Sequence, residues 1–217
     1  MTQSARRRLI VKLGGSFSSS PQLGEWLDAL ADMDSSIIIT PGGGPFADAV
    51  REAQGMMGFD DEAAHAMALL AMAQYAHALA SLHGGFEVAG SLKAIDSVLA
   101  RGKIPVWQPY PMALEDRSIP QTWCVTSDSL AAWLASRTDA WELILVKSVA
   151  PRKKSYTAEA LVREGVVDPE FPRFLARWGA AACWLGPEDF SSLRELLNAG
   201  RDAGALILCE DGGPASR

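Results

Sequence analysis

The chain has 217 residues, of which 48% are hydrophobic and 21% charged, with a formal net charge of −6. A sizeable core follows from this balance, in one large domain or two small ones, and the composition speaks against disorder. The acidic balance argues against a general nucleic-acid binder, which presents a basic surface.

The run Arg6, Arg7 and Arg8 is followed by Lys12 and two glycines, not by a signal-type apolar segment, and reads as a solvated edge. Ala63 to Leu82 is the longest weakly polar stretch, but His65, Gln74 and His77 interrupt it, so a buried or interfacial helix is expected and not a membrane span. Cys124, Cys183 and Cys209 are odd in number and lack a CxxC spacing. Reduced thiols in a cytoplasmic protein are expected, with no protein-held metal site.

The first element is Leu9 to Leu13, a continuous apolar run with one lysine, as in a buried parallel strand. It ends at Gly14, Gly15 and Ser16. Glycines let a ligand approach the backbone, and exposed N–H groups beside Lys12 at a strand end make an anion site. An ordinary glycine turn with a solvated lysine is the plainer reading of this stretch, which lacks P-loop spacing. Phe17 to Gln22 reads as a loop, Leu23 to Ala31 as a helix and Asp34 to Ser36 as a turn.

Ile37 to Thr40 is a second strand, running into Gly42, Gly43 and Gly44, and a helix starts at Pro45. The chain thus builds strand, glycine loop and helix twice, a βαβ pattern. Two such loops leaving neighbouring parallel strands meet at one sheet edge, where open α/β sheets bind ligands. Facing anion cradles suit a reaction with phosphate on both donor and acceptor sides.

Asp60 to Leu82 follows as a helix with acidic residues at its start, closed by His83 to Gly85. His65 and His77 on such a helix are ordinarily packing or surface residues. Ser91 to Ala100 reads as a helix, Lys103 to Gln108 as a strand whose Pro105 fits an end or edge, and Pro109 to Pro120 as a loop. Thr126 or Ser127 caps the next helix, which puts Asp128 in its first turn, where a capping carboxylate needs no further role. Leu143 to Val146 is an apolar strand ending at Lys147 and Ser148, either a solvated terminus or a second phosphate-facing cation. Pro151 to Tyr156 is a basic loop. Helices near Ala158 to Arg163, after Phe171 and over Glu188 to Ala199, strands at Ala181 to Leu185 and Ala205 to Cys209, and a frayed tail from Gly212 complete the chain.

VKLGGS, then PGGGPFADAVR, then TSDSLA, then LILV resemble, in this order, the amino acid kinase superfamily of acetylglutamate, glutamate, uridylate and carbamate kinases. The resemblance spans nearly the whole chain. Within it, WCVTSDSLAAWL and VVDPEFP look most like the aminomethylfuran-methanol phosphate kinases of methanofuran-type C1-carrier biosynthesis, where bacterial relatives are expected in methylotrophs. It implies a three-layer α/β/α sandwich with a mostly parallel sheet, one domain over residues 1–217, its acceptor side roughly 1–125 and its nucleotide side roughly 126–217.

Carried over by position, Lys12 stabilises the transferred phosphoryl group and Asp128 organises that lysine and the loop glycines. Gly14, Gly15 and Ser16 hold donor phosphates, with Lys147 and Ser148 on the nucleotide side. Gly42, Gly43 and Gly44 face the acceptor, with His65, Trp123, Thr126 and Ser127 as further acceptor contacts. ATP and nucleotide-bound Mg²⁺ are the implied cofactors, the acceptor is a small molecule, and a homo-oligomer is expected. One departure stands out. Where the family places a TDVDG-like nucleotide segment, this chain reads Val146 to Pro151, without the acidic pair and the glycine.

No general base is evident, which fits an acceptor whose nucleophile is already anionic. ATP-dependent phosphorylation of a small phosphate monoester to a diphosphate is therefore expected. The rivals are a non-catalytic nucleotide- or anion-binding or storage protein on the same fold, and an acyl-phosphate-forming amino acid kinase.

Overall fold

A computed structural model of the chain describes residues 8–33, 36–193 and 204–209. Among these, one sheet contains β1 (Arg8–Leu13), β2 (Ser36–Pro41), β3 (Phe86–Ala89), β4 (Ile104–Trp107), β5 (Glu142–Val146), β6 (Ser155–Thr157), β7 (Ala182–Leu185) and β8 (Ala205–Leu208). The order is β3-β4-β2-β1-β5-β7-β8-β6, and every neighbouring pair is parallel except β7 with β8. The helices are α1 (Leu23–Ala31), α2 (Gly44–Met57), α3 (Asp61–Leu82), α4 (Leu92–Ala100), α5 (Met112–Glu115), α6 (Ser127–Arg137), α7 (Ala158–Arg163) and α8 (Phe171–Trp178).

The three layers follow from the period-2 alternation of the central strands. Leu9, Val11 and Leu13 of β1 join Ile37 and Ile39 of β2 and Ile144 and Val146 of β5 on one face, packed against Trp26, Leu27 and Leu30 of α1 and Tyr75 and Leu79 of α3. Ile10, Ile38, Leu143 and Leu145 lie on the other face, with Leu130, Trp133 and Leu134 of α6 and Phe174 and Trp178 of α8. Helix α6 is buried from Ser127 through Ala135, its polar first turn followed by an unbroken apolar run from Leu130 to Ala135, as suits a helix enclosed by sheet and neighbours. On burial grounds, each of its large apolar side chains contributes about 1.5–3 kcal/mol.

Several elements differ from expectation. Phe86–Ala89 is a strand that the sequence reading passed over, and Ser155–Thr157 is a short edge strand inside the expected basic loop. Residues Gly15–Ser19 form a 3₁₀ turn and Met112–Glu115 one helical turn, both in expected loops. β4 is an interior strand despite Pro105, because its pairing with β2 is confined to Ile39 opposite Val106. A proline that cannot donate is accommodated where the ladder is that short. Over the expected helix Glu188 to Ala199, Asp189–Ser192 is a 3₁₀ turn and residues 194–199 lie outside the described residues, as do Arg6, Arg7, residues 34–35 and the tail from Gly212. Among the described residues no helix is long and apolar enough to cross a membrane.

Candidate functional site

Strands β1 and β2 end side by side, Leu13 opposite Pro41, and each continues into glycine. The Gly42 N–H donates to the Leu13 carbonyl at 2.9 Å, which carries the parallel ladder one residue past the strands. The two loops then pack backbone on backbone. A Cβ on Gly15 would stand 2.8 Å from Gly44 Cα, and one on Gly42 would stand 2.8 Å from Gly15 Cα. Neither position tolerates a side chain without moving main chain. Gly44 has φ +55°, and with Pro45 it opens α2.

The starts of the 3₁₀ turn and of α2 line one cavity of about 640 Å³ through Gly15, Ser16, Gly43 and Gly44. Helix starts carry N–H groups without intrahelical partners, so this wall favours an anion. The facing wall comes from α3 and from the segment before α6: His65, Leu69 and Met72, then Trp123, Thr126 and Ser127. Trp123 is fixed from two sides. Its indole N–H donates to Gln54 Oε1 at 2.6 Å, and the Arg51 guanidinium lies 4.2 Å from the ring centroid. Arg51 is itself paired with Asp48 at 3.2 Å, and both line the cavity. His65 is buried, and its Nε2 has no partner among the described residues. Burial lowers its pKa against the opposing pull of a hydrogen bond with the Thr122 backbone, so the ring is neutral at pH 7.

Behind this wall lies a buried ion cluster. Lys12 shares the face of β1 with Ile10, and Lys147 continues the face of β5 that holds Leu143 and Leu145. β1 and β5 are neighbours with Lys12 opposite Leu145, so two lysines emerge on the face that α6 covers. The first turn of α6 places Asp128 between them: Lys12 Nζ is 3.0 Å from Oδ1 and Lys147 Nζ 2.6 Å from Oδ2. Lys147 also donates to the Val166 carbonyl at 2.6 Å. Gly14 adjoins the cluster, and its N–H donates to the Val146 carbonyl at 3.3 Å, tying the first glycine loop to β5.

The electrostatics follow from burial and pairing. Burial alone would raise the Asp128 pKa, but Lys12 and Lys147 together hold the carboxyl below its usual range. Burial lowers Lys147 to about 8, with Lys12 adding to the fall and Asp128 opposing it. Two cations flank one carboxylate, and a second carboxylate, Asp168, stands near enough to act on Lys147.

The predicted site residues therefore fall into two groups. Gly15, Ser16, Gly43, Gly44, His65, Trp123, Thr126 and Ser127 line the cavity, and Lys12, Asp128 and Lys147 form the cluster behind it, with Gly14 against Lys12. Gly42 packs against Gly15 and does not line the cavity, and Ser148 is exposed beyond Lys147. Thr126 stands at the cap position of α6, as expected, but neither its side chain nor that of Ser127 caps the helix. The capping oxygen belongs to Asp168, which accepts from Ser129 N at 3.0 Å. Asp168, Arg51, Asp48 and Gln54 were missed. Arg51 and Gln54 sit on the same α2 face, one turn apart, a spacing visible in the sequence once α2 is accepted.

A profile of the amino acid kinase family matches residues 7–151, more than half of the chain. The chain belongs to the amino acid kinase family. The matched segment contains both glycine loops, Lys12, Asp128 and Lys147, and ends before Asp168. The chain is 27% identical over 148 residues to the (5-(aminomethyl)furan-3-yl)methyl phosphate kinase of Methanocaldococcus jannaschii, a match covering 64% of the chain and 65% of that relative. Its fold is that of the uridylate kinase of Archaeoglobus fulgidus, with TM-score 0.70 at 17% identity over 92% of this chain and 99% of the other. The UMP kinase of Bacillus anthracis matches with TM-score 0.70 at 14% identity over 95% and 97%.

Proposed function

We propose that this amino acid kinase transfers the γ-phosphoryl group of ATP to a small phosphate monoester. The best-supported acceptor is aminomethylfuran-methyl phosphate, converted to its diphosphate in the biosynthesis of a C1-carrier cofactor. The Lys12–Asp128–Lys147 cluster carries the reading. It stands at the strand ends behind the cavity, and a second pocket of about 260 Å³, lined by residues 150–154, Asp189 and Gly204, is the place we assign to the nucleotide. The acceptor class is supported by the relative of that name.

Phosphoryl transfer asks the protein for positioning and charge neutralisation more than for covalent chemistry. The acceptor phosphate lies against the start of α2 at Gly43 and Gly44, with Trp123 against its apolar body. An oxygen of that phosphate bonds to the γ-phosphorus while the bond from phosphorus to the ADP oxygen breaks, and ADP leaves with the electron pair. The nucleophile is anionic from the start, so no proton has to be removed. Lys12 and Lys147 neutralise charge on the transferred group, and Asp128 keeps them apart and in place.

The nucleotide phosphates fit what the chain offers: two lysine ammonium groups and the Gly14–Gly15 main chain. Among the described residues no cluster of three His, Cys, Asp or Glu side chains is placed to hold a metal. Mg²⁺ would ride on the nucleotide, adding charge neutralisation there when bound. The segment that replaces the acidic nucleotide motif is ordered by this chain's own bonds. The Trp184 indole donates to the Val149 carbonyl at 3.0 Å, and the Tyr156 hydroxyl accepts from Arg152 N and Lys153 N at 2.9 and 3.0 Å. Arg152, Lys153 and Lys154 give that loop a positive charge suited to a polyphosphate.

Self-association is part of the reading. Phe46, Met56 and Met57 of α2 and Met67 and Leu70 of α3 are exposed apolar side chains. Sedimentation velocity tests this, and a monomer at assay concentration counts against it.

A coupled ADP assay tests the function across phosphorylated aminomethylfuran, small carboxylates and nucleoside monophosphates, with ³¹P NMR of the product. A diphosphate from the first acceptor is expected. ADP released only with a carboxylate would make the chain an acyl-phosphate-forming kinase. One observation favours binding without catalysis: the absence of acidic residues from Val146 to Pro151. Calorimetry that finds Mg-ATP bound, with no ADP formed from any acceptor, would select that reading.

A further inference from the structure

We infer that Asp168 is a positioning residue for the transfer reaction, holding the start of α6 so that Asp128 stays between Lys12 and Lys147. Thr126 is the N-cap of α6, yet it makes no capping bond with its own side chain. A cap side chain ordinarily accepts from the third residue of its helix. Here Asp168 does so from 39 residues away: its Oδ2 accepts from Ser129 N at 3.0 Å. The same oxygen accepts from Thr126 N at 3.0 Å and Thr126 Oγ1 at 2.8 Å. Its Oδ1 accepts from the Ser129 hydroxyl. Residues 126 and 129 bracket Asp128, so the four bonds fix the turn that carries it.

The same short segment holds the other side of the cluster. Val166, two residues before Asp168, accepts from Lys147 Nζ at 2.6 Å. The Glu170 N–H donates to the Cys124 carbonyl at 3.2 Å, which fastens the segment to the chain leading into α6. Residues 166–170 therefore bind Lys147 directly and the turn that carries Asp128. A local serine or threonine cap would satisfy the helix at a smaller desolvation cost. A carboxylate 7% exposed and beside another carboxylate is an expensive substitute. That cost is intelligible if the carboxylate serves the register between helix and lysines and not the helix alone. Burial, followed by the nearby Asp128 charge, raises the pKa of Asp168, consistent with its enclosure in the cluster.

The turnover half of this inference rests on the proposed kinase reading, but the geometric half does not. Asp168→Ala removes all four bonds. Asp168→Asn keeps an oxygen for the two backbone N–H groups and an amide beside the Ser129 hydroxyl. Both variants are compared with wild type for unfolding midpoint, for kcat and KM with phosphorylated aminomethylfuran, and for the titration of Lys147 by NMR. The Lys147 signal is assigned with Lys147→Met, and the titration weighs Asp128, Lys12 and Asp168, the charged groups facing it.

For Asp168→Ala, kcat about tenfold to a hundredfold lower is expected, the scale of a small displacement in a transfer site. The acceptor KM stays within about twofold, and Lys147 titrates at lower pH than in Asp168→Asn, which loses the same charge but keeps Asp128 held. Asp168→Asn recovers most of the lost kcat. A folded alanine variant with wild-type kcat and wild-type Lys147 titration would overturn the inference, as would equal impairment of the two variants. If the alanine variant does not fold, Ser129→Ala decides: a severalfold lower kcat with a shifted Lys147 signal supports the inference, and neither change overturns it. If wild type shows no turnover, the kinase reading falls and the Lys147 titration alone still decides the geometry.

Discussion

Lys147 ties the chemistry of the site to pH in two opposite directions. In the folded protein burial brings it to about 8 from an ordinary 10.5. The groups that face it are Asp128 from α6, Lys12 from β1, and Asp168 and the Val166 carbonyl from the segment before α8. Between about pH 8 and 10.5 the unfolded chain binds the Lys147 proton and the folded chain does not. Folding stability from this group therefore rises with pH across that window. At about 1.4 kcal/mol per pH unit the gain approaches about 3 kcal/mol. On the proposed mechanism turnover moves the other way: only protonated Lys147 would neutralise the transferred phosphoryl group, so kcat is expected to decline above about pH 8. Lys147→Met removes both behaviours. Loss of one charge near 4 Å at an effective dielectric of 20 is worth about 4 kcal/mol, so a fall of up to about a thousandfold in kcat is expected. Urea unfolding of wild type and variant from pH 7 to 10.5, with kcat over the same range, tests this. A wild-type-minus-variant stability that is flat with pH would refute the burial argument. A variant with near-normal turnover would refute the catalytic one.

Lys12→Ala should lower kcat by about two orders of magnitude or more while leaving the far-UV circular dichroism unchanged. Near-normal turnover would remove Lys12 from the site. Gly15→Ala should destabilise the fold by about 1–3 kcal/mol in denaturant titration, because the new Cβ meets the Gly44 main chain. Gly24→Ala in α1, where a Cβ meets nothing within 4 Å, should instead stabilise by about 0.5–1 kcal/mol. Equal effects at the two glycines would contradict the packed-loop account. Trp123→Ala should raise the acceptor KM with little change in the KM for ATP, and a rise confined to ATP would place Trp123 on the wrong side of the site.

What was legible in the sequence is what local chemistry dictates. A lysine beside glycines at a strand end, a second glycine loop at the next strand end, and a carboxylate in a helix first turn each carry their meaning within a few residues. Strand alternation then decides that Lys12 and Lys147 share the α6 face, because each stands two residues after an apolar side chain of that face. Beyond that, the sequence was silent for a physical reason. The cap of α6 was assigned to Thr126 or Ser127 because capping is ordinarily local, whereas the carboxylate that does it lies in a segment whose proximity is set only by the pairing of β5 with β7 and the packing of α8 on α6. Asp168 looks in sequence like a residue leading its own helix, α8. β3 was passed over because four residues carry too little alternation to stand out, whereas β4 was legible, with Pro105 one residue from its start. The residues singled out in the sequence are those brought together at the strand ends, and those passed over fix their geometry. Asp168 is where the two meet, a side chain with no local signature on which the position of Asp128 depends.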